Sequence, residues 1–401
     1  MTGALGIPTL DDLAVVGKRV LLRADLNLPM KDGRITDDSR LRHTLPTIEE
    51  LAQKRAKIIV VSHLGRPDGK RDPKQSLKPV ADAMAKLMPK RRIGFAQDCV
   101  GAAAETAVDG LAEGDVMVLE NLRFHAGEEA NDPAFARGLA KLADLYVNDA
   151  FSAAHRAHAS TAGVAALLPS AAGRLMQAEL AALAEALEAP KRPVIAVVGG
   201  AKVGTKIDVL ENLIGKVDVL VIGGAMANTF LQAQGVAVGR SLSEPDRADV
   251  ARAILAKAAK SGCTVVLPTD AVVAAEFKAG AASRIVPVGA VPADAMILDV
   301  GPATVEAIVA RLRASRTLVW NGPLGAFEMP PLDAGTTAVA TAAAALTRHG
   351  KLVSIAGGGD TVAALANAKA GDGFTSVSLA GGAFLEWLEG KTLPGVAALK
   401  G

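Results

Sequence analysis

Five times in the second half of this chain, an apolar run stops at a glycine turn and a helix-like segment follows. The segments are IAVVGGAK (195–202), VLVIGGAM (219–226), LVWNGPLG (318–325), LVSIAGGGDT (352–361) and VSLAGGAF (377–384). Repeated turns of this kind align free backbone N–H groups and helix N-termini on one edge of a sheet. Such an edge binds phosphate. The first half instead places Arg40, His63, Arg66, Arg123, His155, Arg156 and His158 at its turns. One half reads as a nucleotide holder, the other as a holder of a small acidic compound.

A length of 401 residues predicts two or three domains at about 150 residues each. With 50% hydrophobic but only 3% aromatic residues, the core must be Ala, Val, Leu and Ile, which suits parallel strands buried under Ala-rich helices. A net charge of +2 is too small for a general nucleic-acid binder. Cys99 and Cys263 fit no metal or redox spacing, so a reduced cytoplasmic compartment is the simpler reading. The first residues lack a basic start followed by an apolar core, which predicts no signal peptide. Glycines and charges interrupt every apolar run before the roughly 18 residues a bilayer span needs.

The first half alternates expected strands at 18–26, 57–63, 92–96, 115–119 and 144–148 with helical patterns at 39–54, 76–88 and 132–143. This alternation predicts an α/β fold with a doubly wound, mostly parallel sheet. Apolar residues at 176, 180, 183 and 187 predict a helix over 174–189, ended by Pro190 and Pro193 and joining the halves. The β/α alternation then resumes from Val194. The expected domains are 1–172 with a returning tail 389–401, and 173–388.

Several familiar signatures are absent. Gly390-Lys391-Thr392 resembles the end of a P-loop, but Leu385 stands where its first glycine belongs, and no strand–GxGxxG–helix unit occurs. No nucleophile signature supports a hydrolytic triad. His155 and His158 lack a third metal partner in sequence.

The remaining motifs carry charge suited to phosphate. In GGAKVGTK (199–206), Lys202 and Lys206 are four residues apart, hence on one face if the segment is helical. They suit a polyphosphate, or are solvated lysines. In GGGDT (357–361), Asp360 reads either as a helix N-cap or as a carboxylate holding Mg²⁺ against phosphate oxygens. Glu328, after NGPLGAF, either meets ribose hydroxyls or is solvated. Asp25 and Asn27 in RADLNLP either orient a hydroxyl-bearing substrate or cap a turn. His63 and Arg66 in SHLGRP, Arg123 in LENLRFH and Arg156 in HRAH each sit at a separate strand-to-helix turn. Any single arginine is more often a surface residue. Separate turns that each carry one argue together for recognition of phosphate or carboxylate by the planar guanidinium fork. No general base stands out, and a carboxylate acceptor with a pKa of about 4 needs none. Phosphoryl transfer to it requires positioning and positive charge. Lys202, Lys206 and an Asp360-held Mg²⁺ supply these on one side, and Arg40 on the other.

In order along the chain, RADLNLP, DDSR, SHLGRP, LENLRFH, VNDAFSAAHRAHAST, GGAKVGTK, WNGPLGAFE, GGGDT and GGAFLEWLEGKTLPGV closely resemble phosphoglycerate kinase. The resemblance implies two doubly wound α/β domains joined by a helix, with a cleft between them. It implies a cytoplasmic enzyme, by default a monomer, acting on small molecules without nucleic acid or membrane. The N-terminal domain would bind 3-phosphoglycerate or 1,3-bisphosphoglycerate, and the C-terminal one ADP or ATP with Mg²⁺. Asp25 and Asn27 would hold the glycerate part, and His63, Arg66, Arg123 and Arg156 the phosphate that stays. Arg40, Lys202, Lys206, Gly358 and Gly381 would serve the moving phosphoryl group. Gly223, Gly224, Gly322, Gly358, Gly359, Gly382 and Thr361 would shape the nucleotide side, Glu328 would meet the ribose and Asp360 the metal. The resemblance also implies hinge motion.

The chain departs from the family at Ser378-Leu379-Ala380, where Ser-Thr-Gly is usual, so a hydroxyl is lost at Leu379 and a methyl gained at Ala380. Rival readings are a nicotinamide dehydrogenase, disfavoured by the missing dinucleotide fingerprint, and a non-catalytic nucleotide-binding descendant of the same fold.

Overall fold

The computed structural model describes residues 4–400. The chain divides into two compact units, Met1–Ala181 with Thr392–Gly401, and Ala182–Lys391. The first unit carries strands β1 (Arg19–Arg23), β2 (Met30–Lys31), β3 (Arg34–Ile35), β4 (Lys57–Val61), β5 (Ile93–Ala96), β6 (Val116–Leu119), β7 (Leu145–Asn148) and β8 (Ser170–Ala172). Six of these form one sheet in the order β5-β6-β4-β1-β7-β8, and β2 and β3 form a small hairpin. Every pairing in the large sheet is parallel. Alternate residues Val20, Leu22, Ile58, Val60, Val116, Val118 and Val147 bury one sheet face against Leu41, Ile48 and Leu51 of helix Ser39–Gln53. Leu21 and Ile59, pointing the other way, are equally buried. Burial on both faces is why these strands read as continuous apolar runs.

The second unit repeats the plan with β9 (Val194–Val198), β10 (Val219–Ile222), β11 (Thr264–Val266), β12 (Asp270–Ala274), β13 (Ser283–Pro287), β14 (Met296–Val300), β15 (Thr317–Asn321), β16 (Val353–Gly357) and β17 (Ser376–Ser378). Its large sheet has the order β11-β10-β9-β15-β16-β17, again all parallel. A three-stranded antiparallel sheet, β13-β12-β14, is added beside it. Helices Pro302–Ala314 and Ala334–Arg348 cover the large sheet through Ile308, Leu312, Val339 and Ala343.

The joining helix spans Arg174–Leu187, and the boundary between the units falls inside it. Met176, Leu180, Leu183 and Leu187 are all buried, as their spacing requires. Its start is fixed by Asp149, whose Oδ1 accepts from Leu175 N at 2.8 Å and Met176 N at 3.1 Å. Burial pushes that carboxyl up to about 6. Gly173 precedes it because a Cβ there would stand 2.3 Å from Asp149 Oδ1. In the first unit, Gly395 N donates to Ala154 O at 2.8 Å, so the residues from Thr392 onward pack with the N-terminal half.

Expected strand 18–26 stops at Arg23, because Leu26 N is taken by Ser62 Oγ at 2.9 Å instead of a ladder partner. Helices Gly101–Asp109 and Ala248–Lys260, strand β8 and the antiparallel sheet were not marked by the sequence patterns. Among the described residues, no helix is long and apolar enough to cross a membrane.

Candidate active site

In the first sheet, the chain runs outward from β1 to one side and later returns to the other. Ligands in such sheets bind beyond strand C-termini near the reversal. The candidate residues follow β1, β4, β6 and β7. Asp25 is buried, and its Oδ2 accepts from Arg40 Nη1 at 2.8 Å and Ser152 Oγ at 2.5 Å. Its Oδ1 accepts from Asn27 N at 3.3 Å, closing a tight local turn. Asn27 Oδ1 in turn accepts from Gly65 N at 2.9 Å, tying the β1 turn to the β4 turn. Arg123 Nη1 donates to Gly65 O at 2.9 Å, which brings in the β6 turn.

Behind this surface lies a buried polar chain that the sequence reading did not single out. Arg23, 1% exposed, ends β1. Its Nε donates to Ser160 Oγ at 2.9 Å, and Ser160 Oγ donates to Glu128 Oε1 at 2.5 Å. Its Nη2 lies 3.0 Å from His63 Nδ1. A guanidinium only donates, so Nδ1 accepts and the neutral ring carries its proton on Nε2. Burial, followed by the charges of Arg23 and Arg123, holds His63 well below the usual histidine range. His158 is lowered to about 4, first by burial and then by Arg123, Arg23 and Arg156. These couplings join Arg23, Arg40, His63, Arg123, Arg156 and His158 into one electropositive cluster. Arg66 and Arg156 are exposed, and Arg66 makes no side-chain hydrogen bond or ion pair among the described residues.

In the second sheet, the order reverses between β9 and β15, and their C-terminal turns touch through backbone. A Cβ at Gly199 would stand 1.9 Å from Pro323 O, and one at Gly322, which has φ +97°, 2.2 Å from Gly199 O. Gly224 N donates to Leu324 O, and Gly223 N to Val198 O, both at 2.9 Å. Thr361 is buried and its Oγ1 accepts from Gly322 N at 2.7 Å. The helices Gly359–Asn367 and Gly381–Leu388 start side by side, with a Cβ at Gly381 only 3.7 Å from Gly359 N. Adjacent helix N-termini form a strong anion seat. Half-buried Lys206 reaches the same region, where its Nζ donates to Asn321 Oδ1. Burial lowers its pKa, opposed by Glu389 and Asp360.

A cavity of about 390 Å³ opens beside these turns. It is lined by Gly200, Gly224, Asn228, Leu242, Phe277, Met296, Leu298, Glu328 and Asp360, among others. Leu242 and Phe277, 54% and 56% exposed, give it an apolar wall open to solvent. Asp299 supports the cavity from below. It accepts from Gly335 N at 2.7 Å, and a Cβ at Gly325 would stand 2.1 Å from its Oδ1. Burial raises this carboxyl to about 7.

Two local expectations need correction. Lys202 and Lys206 do not share a helical face: Lys202 is extended, a 3₁₀ turn covers Val203–Thr205, and the helix begins at Ile207. Gly200, with φ +143°, keeps the backbone ahead of Lys202 out of α geometry. Asp360 is not an N-cap; Gly358, with φ +102°, holds that position, and Asp360 is exposed in the first turn. At the Ser378-Leu379-Ala380 departure, Ala380 is the N-cap of helix Gly381–Leu388 and no side chain caps that helix; Ser378 Oγ accepts only from Ala380 N, at 3.2 Å, in a local turn.

A family model described as phosphoglycerate kinase matches residues 10–391. The phosphoglycerate kinase of Cereibacter sphaeroides is 60% identical over 395 residues, covering 98% of this chain and 100% of that protein. That of Methylobacterium radiotolerans is 62% identical over 393 residues, with 98% of each chain covered. The solved structure of phosphoglycerate kinase from Coxiella burnetii superimposes with a TM-score of 0.91 at 43% identity, covering 98% of both chains. With its two parallel-sheet α/β units and this likeness over nearly its whole length, the chain belongs to the phosphoglycerate kinase family.

Proposed function

We infer that this chain catalyses the reversible transfer of a phosphoryl group from 1,3-bisphosphoglycerate to ADP, giving ATP and 3-phosphoglycerate, a step of glycolysis. The observation that carries this reading is the division of labour between the units. An arginine–histidine cluster stands at the strand ends of one, and paired helix N-termini with Lys206 beside an apolar-walled cavity stand at those of the other.

In the first unit, Asp25 and Asn27 accept from and donate to the glycerate part. The Nε2–H of His63, with Arg66, Arg123 and Arg156, holds the phosphate that stays. Keeping His63 neutral leaves it a donor in a site already rich in cations, without adding repulsion. Arg40, ion-paired to Asp25 at 2.8 Å, is oriented by a buried carboxylate toward the substrate carboxyl and the moving group. In the second unit, Leu242, Phe277 and Leu298 enclose the base and Glu328 receives the ribose hydroxyls. Gly223, Gly224, Gly322, Gly359 and Thr361 shape the wall around the phosphates. Lys202, Lys206 and the backbone of Gly358 and Gly381 stabilise the charge on the moving group. No proton acceptor is required, because the attacking carboxylate or phosphate is already ionised.

Mg²⁺ fits this site. Asp360 is an exposed carboxylate without a hydrogen bond or ion pair among the described residues, and it lines the nucleotide cavity. One carboxylate together with phosphate oxygens and water is the donor set Mg²⁺ prefers. When bound, the ion would neutralise phosphate charge. Because the two substrates belong to different units, turnover in this reading includes hinge closure. A monomer acting in the cytoplasm on small molecules, apart from nucleic acid and membrane, completes the proposal; the small net charge of +2 supports it. A coupled assay of ADP release from MgATP tests the function. Release that depends on 3-phosphoglycerate is expected, and release indifferent to it overturns the reading.

A further inference from the structure

Outside the basic cluster, three side chains of the first unit bring together oxygen, sulfur and nitrogen donors. Asp98 and Cys99 lie just beyond β5, and His125 lies two residues beyond Arg123. A carboxylate oxygen, Cys99 Sγ and a ring nitrogen of His125 all lie within 4.8 Å of one another. Cys99 spacing along the chain gave no hint of this, because the partners come from separate turns.

The cluster is held in place from several sides. His125 Nε2 is 2.7 Å from Asp98 Oδ1, which also accepts from Cys99 N at 2.7 Å. The His125 ring packs on Phe135 with centroids 5.2 Å apart. Cys99 is fully buried, whereas the side chains of Asp98 and His125 are 34% and 33% exposed. The triangle therefore has a closed floor of sulfur and a side open to solvent. Metal–ligand bonds of about 2.0–2.3 Å put neighbouring tetrahedral ligands roughly 3.3–3.8 Å apart. The group needs only a side-chain adjustment on the order of 1 Å to reach that geometry. Burial first, and then the charges of Asp98, Glu128 and Glu120, hold the Cys99 thiol well above its usual range; the same three carboxylates make a negative field that attracts a cation.

We propose that Asp98, Cys99 and His125 form a binding site for a divalent transition metal of the Zn²⁺ or Co²⁺ type, with water as fourth ligand. Thiolate and imidazole select such ions over Mg²⁺, so the site is chemically distinct from the Asp360 position. On binding, the Cys99 S–H bond breaks, the proton leaves to solvent, and the sulfur lone pair forms the metal bond. No redox change is involved. Occupancy joins the turn after β5 to the turn bearing Arg123, which stabilises the first unit without entering the transfer chemistry.

The test is titration of full-length, tag-free, metal-stripped protein with Co²⁺. A thiolate-to-cobalt absorption band saturating at one equivalent is expected, displaced by Zn²⁺ and not by Mg²⁺. The band should persist in Cys263→Ser, which removes the other cysteine, and vanish in Cys99→Ser. His125→Gln, at a partly exposed position, should weaken Co²⁺ binding at least 10-fold with native circular dichroism, and decides the matter if Cys99→Ser fails to fold. Absence of the band in wild type, its survival in folded Cys99→Ser, or unchanged affinity in His125→Gln would overturn the proposal.

Discussion

Replacing Ser160 by alanine removes one hydroxyl from the buried chain that ends on His63. That hydroxyl accepts from Arg23 Nε at 2.9 Å and donates to Glu128 Oε1 at 2.5 Å. Both charged partners are buried, Arg23 at 1% and Glu128 at 0% exposure, so neither regains a full hydration shell. Each lost hydrogen bond to a charged group is worth about 1.5–3 kcal/mol. Glu128 keeps Ser160 N at 2.9 Å, and Arg23 keeps Ala24 O, so the combined loss of stability should be about 2–4 kcal/mol. The functional consequence is separate. A guanidinium no longer fixed at Nε turns toward Glu128, and His63 loses the donor that keeps its proton on Nε2. Losing one charge-assisted bond to the resting phosphate raises the KM for 3-phosphoglycerate about 10- to 100-fold. The KM for MgATP should stay unchanged, and kcat at saturation should fall less than about threefold. Parallel kinetics for both substrates, with ¹⁵N NMR of the His63 ring, read these effects. A variant that is less stable yet keeps both the triose KM and the Nε2–H tautomer would refute the reasoning, leaving Ser160 a packing residue.

Arg40→Ala should lower turnover by about 10³-fold or more, by analogy with other arginines that neutralise transferring phosphate. Its ion pair with Asp25 is open on the arginine side, 34% exposed, so urea unfolding should show a stability loss of only about 1 kcal/mol; a folded variant with near-normal turnover would exclude the role. Asp360→Asn should raise the Mg²⁺ concentration for half-maximal activity at least about 10-fold while leaving the triose KM alone; an unshifted Mg²⁺ titration would contradict it. Acid should destabilise the first unit through its histidines. For His158 the native state releases its proton down to about 4 while the unfolded chain binds one below 6.5. Stability is thus fully present above 6.5 and lost as pH falls toward about 4, by at most about 3 kcal/mol for His158. Asp299 runs the other way: its stability contribution is full below 3.8 and lost as pH rises through about 7. Urea unfolding at pH values across this range should show a flatter acid limb in His158→Gln; an identical limb would sink the assignment.

The parallel strands were legible because burial on both faces makes them uninterrupted apolar runs ending at glycine turns. The joining helix was legible from four apolar residues at helical spacing. The antiparallel β12–β14 sheet was not, since most of Ser283–Pro287 is exposed and lacks clean alternation. Gly101–Asp109 is nearly all alanine and small residues, leaving little polarity contrast to mark a face. At the candidate site, glycines and arginines at turns could be read locally, but the cavity walls Leu242, Phe277 and Leu298 come from distant segments. Arg23 carries a signal in the sequence itself: an arginine at the end of an apolar run leading into a buried strand turn needs a buried partner, unlike Arg19 at the strand's more open start. The lysine spacing in GGAKVGTK did not translate into a shared face because an extended Lys202 and a single 3₁₀ turn, not a helix, precede Ile207.

The packing of Gly395 onto Ala154 has a consequence for biosynthesis. A Cβ at Gly395 would stand 3.0 Å from Ala154 Cα, so the strap from Thr392 onward seats tightly against the turn Phe151–Ala153 that Ala154 closes. On the ribosome, the first half emerges long before that strap exists. The N-terminal unit must then wait, partly assembled, through translation of some two hundred intervening residues. Docking of that strap would then be the last step in assembling the first unit.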